Sequence, residues 1–113
     1  MRTAMIRNAL AALAAIAIAI AAPAWAATGN ADAGRTKSEP CKACHGEAGV
    51  SPTPAFPKIA GQHADYLATA LRHYKAGKRR NPIMAGQVAN LSDKDMLDLA
   101  AFYSSQSGLA IRY

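Results

Sequence analysis

Cys41, Cys44 and His45 stand together in the run "CKACH", and the chain holds no other cysteine. A thiolate is both a nucleophile and a soft metal ligand, and an imidazole offers a nitrogen lone pair near neutral pH. Two thiols separated by two residues, with a histidine directly behind them, suit three chemistries: a dithiol that cycles with a disulfide, half of a zinc site, or the covalent anchor of a haem.

Zinc is short of ligands. A structural site takes four, usually as two close pairs, and beyond the cysteines only His45, His63 and His73 remain, the last two being ten residues apart. Both of those histidines sit beside charged neighbours in helical sequence and read as surface residues. A redox dithiol belongs at a strand-to-helix junction, yet no segment of this chain alternates with the period-two pattern of a strand. Haem attachment uses every residue of the motif. Cysteines at i and i+3 share one face of a helical turn, so both thiols reach one edge of a porphyrin and add across its vinyl groups. His45 then projects over the ring as an axial iron ligand.

The opposite axial position decides what such a haem does. An open position suits gas binding or peroxidase chemistry, and a second protein ligand suits electron transfer. Beyond the first 26 residues the methionines are Met84 and Met96. Met96 falls on an apolar helical stripe, the usual place for core packing. Met84 lies in "NPIMAGQ", within a stretch from Lys78 to Asn90 that reads as a loop able to deliver a side chain to a ring centre. Met84 is the expected second ligand. A thioether is neutral and soft, so a His/Met pair favours the reduced iron relative to two histidines.

These residues need a scaffold, and its limits are visible. Residues 1–26 read as a cleaved export leader: Arg2 and Arg7 precede an uncharged run from Ala9 to Ala22, and Ala24-Trp25-Ala26 supplies the small residues of a cleavage site. The run is too short to span a bilayer, which takes about 20 residues. Residues 27–113 then form one domain in the periplasm, one that crosses no membrane. The whole chain carries a net charge of +6, and leaving out Arg2 and Arg7 makes the remainder +4. In an exported protein that charge points to acidic protein surfaces or anionic lipid and away from nucleic acid. The expected fold is all-α with long loops. A weak helix covers Ala31–Glu39, interrupted by Gly34, and Pro40 opens a fresh turn bearing the motif, closed by Gly46. "QHADYLATALRHYKA" places Leu67, Leu71 and Tyr74 on one helical face and ends at Gly77. "LSDKDMLDLAAFYSSQ" starts with Ser92 as N-cap and Asp95 three residues on, an approximate capping box, and buries Met96, Leu99, Ala100 and Tyr103. Large apolar side chains, Phe56, Tyr66 and Ile83 among them, are few for a free-standing core. A porphyrin would fill the middle.

Four blocks, "CKACHG", "PAFPKIAGQHADYL", "YKAGKRRNPIMAGQ" and "LSDKDMLDLAAFY", together resemble the class I c-type cytochromes, most closely the bacterial single-haem branch and single domains of the dihaem "c-four" proteins. The resemblance spans nearly all of the chain after the leader. It implies a small cytochrome c fold of three to four helices around one covalent haem c, with the first and last helices crossing beside it, Gly34 near Leu99. It also implies that the carbonyl of Pro57, twelve residues after His45, accepts the proton on the ligand imidazole's other nitrogen. The chain departs from the family where a bulky apolar residue usually precedes the first cysteine by about four positions: here stand Lys37 and then Pro40.

The expected function is that of a one-electron carrier, not an enzyme, shuttling between a donor dehydrogenase or membrane complex and an acceptor such as a terminal oxidase. The rivals are a haem subunit of a larger dehydrogenase, whose partner chain stays bound, and a sensor haem with an open iron. The basic run Lys75, Lys78, Arg79, Arg80 has two readings, a docking rim for acidic redox partners or a solvated helix end.

Overall fold

The computed structural model describes residues 28–108, so the expected leader, residues 1–26, lies outside the described part. The described residues form five α-helices, α1 (Ala31–Lys37), α2 (Lys42–His45), α3 (Ala64–Lys75), α4 (Pro82–Val88) and α5 (Asp93–Ser104), with a 3-10 turn over Glu39–Cys41. No strand occurs among the described residues, and none of their helices is long and apolar enough to cross a membrane.

Local chemistry starts and stops these helices. Asn30 caps α1 by accepting from the Ala33 N–H at 2.9 Å, and Asp32 then Arg35 and Lys37 match the two ends of the helix dipole. Ser92 and Asp95 form a full capping box on α5, the Ser92 hydroxyl accepting from Asp95 N–H at 3.0 Å and the Asp95 carboxylate from Ser92 N–H at 2.9 Å. The stretch read as a loop from Lys78 to Asn90 contains α4 instead. The Asn81 side chain accepts from the N–H groups of Ile83 at 3.0 Å and Met84 at 3.1 Å, and Pro82 occupies the first helical position, where its missing N–H costs nothing. Asn-Pro is a helix-start signal, and it outweighs the weak helix propensity of the segment.

The protein core lies between α3 and α5, where Leu67 and Ala68 meet Leu99, Ala100, Phe102 and Tyr103. On the other side α1 crosses α5 so closely that a Cβ on Gly34 would lie 1.9 Å from the Asp98 carbonyl oxygen and 2.7 Å from Phe102 Cβ. The crossing is therefore at Asp98 and Phe102, and Asp98 is the immediate neighbour of the expected Leu99. Gly34, expected to weaken α1, is what lets it dock.

Where an apolar side chain was absent before the motif, the fold substitutes charge. Asp98 is fully buried and accepts from the Asn30 backbone N–H at 2.7 Å and from Lys37 Nζ at 2.6 Å, while Lys94 Nζ sits 3.0 Å away. Lys37 also reaches Asp95 at 2.7 Å. Donation by Asn30 N–H, followed by the Lys37 ammonium, holds the Asp98 carboxyl far below the usual range, and Lys37 pulls that of Asp95 to about 2. Carboxylates with depressed folded values stabilise fully above the unfolded value of about 3.9 and lose that contribution as pH falls through the folded one. The thermal midpoint should thus be flat above about pH 5 and fall steeply between about pH 4 and 2. Asp98→Asn should melt lower at pH 7 and show a shallower acid slope; a wild-type slope in that variant would remove Asp98 from the acid response.

Candidate cofactor site

The sequence from Ser38 to Gly46 makes a compact platform. Ser38 is buried and its hydroxyl donates to the Arg35 carbonyl at 2.7 Å, turning the chain out of α1. Pro40 sets the 3-10 turn, and α2 carries Cys44 and His45 in a single turn. Gly46 ends it at φ 80°, a left-handed value that L side chains avoid, and a Cβ there would lie 2.0 Å from the Val50 carbonyl oxygen. Lys42 points away and bridges Glu39 at 2.8 Å and Glu47 at 2.9 Å, tying both flanks of the motif together.

His45 is 8 % exposed and its Nδ1 lies 2.9 Å from the Pro57 carbonyl oxygen. A carbonyl only accepts, so Nδ1 carries the proton and Nε2 keeps its lone pair. The loop that supplies Pro57 is itself pinned. Ile59 and Ala60 N–H donate to the Gly49 carbonyl at 2.8 and 3.1 Å, and Gly61 N–H donates to the Tyr103 carbonyl at 2.9 Å.

Cys41, Cys44, His45, Pro57 and Met84 all line one cleft of about 410 Å³. Its walls come from the loop (Phe56, Ile59), from α3 (Tyr66, Leu67, Leu71), from α4 (Ile83) and from α5 (Leu99, Tyr103). Tyr66 and Ile83, expected in the core, are 50 % and 57 % exposed at this cleft instead. Met96 is 4 % exposed in the packing beneath α5 and does not line the cleft. His63 and His73 are exposed on α3 and its cap.

The donor set distinguishes among the chemistries open to the motif. Cys41 and Cys44 are not joined to each other by a disulfide. Among the described residues no group of three or more His, Cys, Asp or Glu side chains is arranged to hold a bare metal ion. The cleft instead presents two thiols, one oriented imidazole and one thioether within largely apolar walls. The Tyr103 hydroxyl, buried without a hydrogen-bond partner, borders the same space. Burial pushes its pKa up, with the neighbouring Cys41 thiol adding to the shift. A flat, mainly apolar porphyrin with some polar edge fits these walls and donors, and a hydrophilic substrate does not.

Sequence reasoning missed three features. Tyr103 was legible only as an apolar helical position. Asp98 interrupts the apolar stripe of α5, and a charge between Leu97 and Leu99 was the available sign of a buried ion pair. The third is Arg79. Its guanidinium turns back over the Tyr74 ring, 5.0 Å from the centroid, and borders the cleft, so it is no free rim cation.

Comparisons with known proteins give the family of the chain. The cytochrome c family profile matches residues 31–107. The chain is 49 % identical over 80 residues to cytochrome c4 of Pseudomonas aeruginosa, covering 71 % of this chain and 40 % of that protein. It is 41 % identical over 81 residues to cytochrome c-554(548) of Halomonas halodenitrificans, covering 69 % of this chain and 98 % of that one. The crystal structure of reduced recombinant cytochrome c4 from Pseudomonas stutzeri superposes with a TM-score of 0.69 at 44 % identity, over 73 % of this chain and 48 % of the other. The chain thus spans less than half the length of the cytochrome c4 relatives and nearly all of the Halomonas protein.

Proposed function

Because the chain belongs to the cytochrome c family, whose domain binds a covalent haem c, we propose that it is a periplasmic one-electron carrier. In this reading Cys41 and Cys44 hold the haem through thioether bonds, and His45 and Met84 are its axial iron ligands. The observation that carries the proposal is the His45 Nδ1 to Pro57 carbonyl hydrogen bond of 2.9 Å, together with the position of Met84 on the same cleft. When bound, haem supplies a metal centre that accepts and releases one electron.

The residues of the chain set the conditions for that exchange. Pro57 fixes the tautomer and angle of His45 and raises the donor strength of Nε2. Cys41 and Cys44 would hold the haem covalently while His45 and Met84 would ligate its iron, so that little of the chain would need to rearrange when an electron is exchanged. Phe56, Ile59, Leu67 and Leu99 exclude water from the buried side, while Tyr66 and Ile83 leave one edge near the surface. The family's cytochrome c4 members support a carrier role, not an enzymatic one.

The test uses protein expressed with export and haem-ligation machinery. It should be red and have the mass of residues 27–113 plus one haem. It should take up one electron per chain reversibly, keep its colour in acidified solvent, and combine with carbon monoxide only slowly at neutral pH. Pigment that extracts, or rapid carbon monoxide uptake, would sink the proposal, the second in favour of a sensor haem.

Redox partners complete the reading, and an acidic docking surface is proposed for them. Within the basic run, Lys75 Nζ is bonded to the Leu91 carbonyl and Arg79 is folded onto Tyr74, whereas Lys78 and Arg80 are exposed beside the cleft. Replacing Lys78 and Arg80 by glutamine should slow electron transfer to an acidic partner at low salt and converge with wild type at high salt. An unchanged rate at every salt concentration would exclude this face.

A further inference from the structure

Arg79 holds α4, and with it Met84, against α3: we propose that this side chain is the positioning residue for the second axial ligand, a role that rests on the assignment of Met84 as that ligand. The need for such a device follows from α4 itself. Of its seven residues only Val88, at the far end, is buried. The cap from Asn81 organises the first turn internally and does not tie it to another element.

Arg79 supplies that tie, two residues before the cap. Its backbone N–H donates to the His73 carbonyl at 3.1 Å. Its guanidinium covers the Tyr74 ring at 5.0 Å, and Nη1 donates to the Tyr66 hydroxyl at 3.3 Å. All three contacts are to α3, and Tyr66 and Tyr74 are about two helical turns apart, roughly 12 Å along the axis. One side chain therefore lies along the cleft-facing edge of α3 and fixes where the chain starts α4. α4 is then held at both ends, by Arg79 before it and by Val88 within it, with Met84 between.

The chemistry of the clamp requires a guanidinium. A planar fork can stack on one ring while an edge N–H reaches another group, and a lysine ammonium cannot do both. The contacts are exposed, so each contributes modestly. Losing them should therefore detach Met84 more often without unfolding the domain.

The test compares Arg79→Ala, Arg79→Lys, Tyr66→Phe and Met84→Ala in the haem-loaded protein. It measures the rate at which carbon monoxide combines with the reduced form, the oxidised sulfur-to-iron charge-transfer band, and hydrogen exchange at the Met84 amide. In Arg79→Ala the carbon monoxide rate and the Met84 exchange rate should each rise roughly three- to thirtyfold, the range for losing one exposed charged hydrogen bond and one cation–π contact. Tyr66→Phe should fall between that variant and wild type, and Arg79→Lys should recover less than half of the difference. Wild-type rates in Arg79→Ala, or full rescue by lysine, would overturn the clamp while Met84→Ala still loses the band. A band that survives in Met84→Ala overturns the ligand assignment and the clamp with it.

Discussion

Met84→Ala should lose the sulfur-to-iron charge-transfer band of the oxidised state while the haem stays bound through Cys41 and Cys44. In the proposed site covalent attachment depends on the two thiols, which with His45 sit on a platform built from residues 38–46 and bonded to the Pro57 loop. α4 contributes nothing to that platform, so the haem should still add its mass to the chain and resist extraction by acidified solvent. The reduction potential should fall, because the soft thioether that favours reduced iron is gone. Carbon monoxide should bind the reduced variant readily. Met96→Ala is the matched control: its side chain packs at 4 % exposure under α5, away from the cleft, so it should lose roughly 2–5 kcal/mol of stability and keep the band. The reverse outcome, with the band lost from Met96→Ala and kept in Met84→Ala, would reassign the ligand.

Gly34→Ala should destabilise the domain by about 3 kcal/mol, lowering the thermal midpoint by at least roughly 10 °C. The added Cβ would lie 1.9 Å from the Asp98 carbonyl oxygen, a backbone atom that cannot swing aside, and 2.7 Å from Phe102 Cβ. Relief requires α1 to move off α5. That motion also separates Asn30 and Lys37 from the buried Asp98 carboxylate, leaving it short of partners. Gly86→Ala offers the opposite sign. Nothing lies within 4 Å of a Cβ there, and the residue is inside α4, so alanine should be neutral or stabilise by roughly 0.5–1 kcal/mol. Thermal unfolding of both variants beside wild type measures the contrast. Equal midpoints for Gly34→Ala and wild type would mean the helices do not cross as closely as described.

The ligand motif, the helix caps and the all-α class were legible because each depends on residues within one or two turns of each other. Cysteines at i and i+3 share a face, Ser92 with Asp95 closes a capping box, and Gly46 ends a turn, whatever the rest of the chain does. α4 was also written locally, in Asn81-Pro82, and was missed because the proline and glycine around Met84 were read as loop signals.

What tertiary structure decided was which side chains face each other across long sequence separations. Asp98 meets Asn30 and Lys37, more than sixty residues away, and that pairing turns an apparent flaw in an apolar stripe into the joint between first and last helices. Arg79 reads as one cation among four until Tyr66 and Tyr74 are seen beneath it. The sequence alone determined the chemistry, since bond-making atoms and their spacing are local properties; the tertiary structure determined which of the remaining charged and polar groups support it. Burial and pairing are properties of two surfaces brought together, and no single stretch of chain contains both.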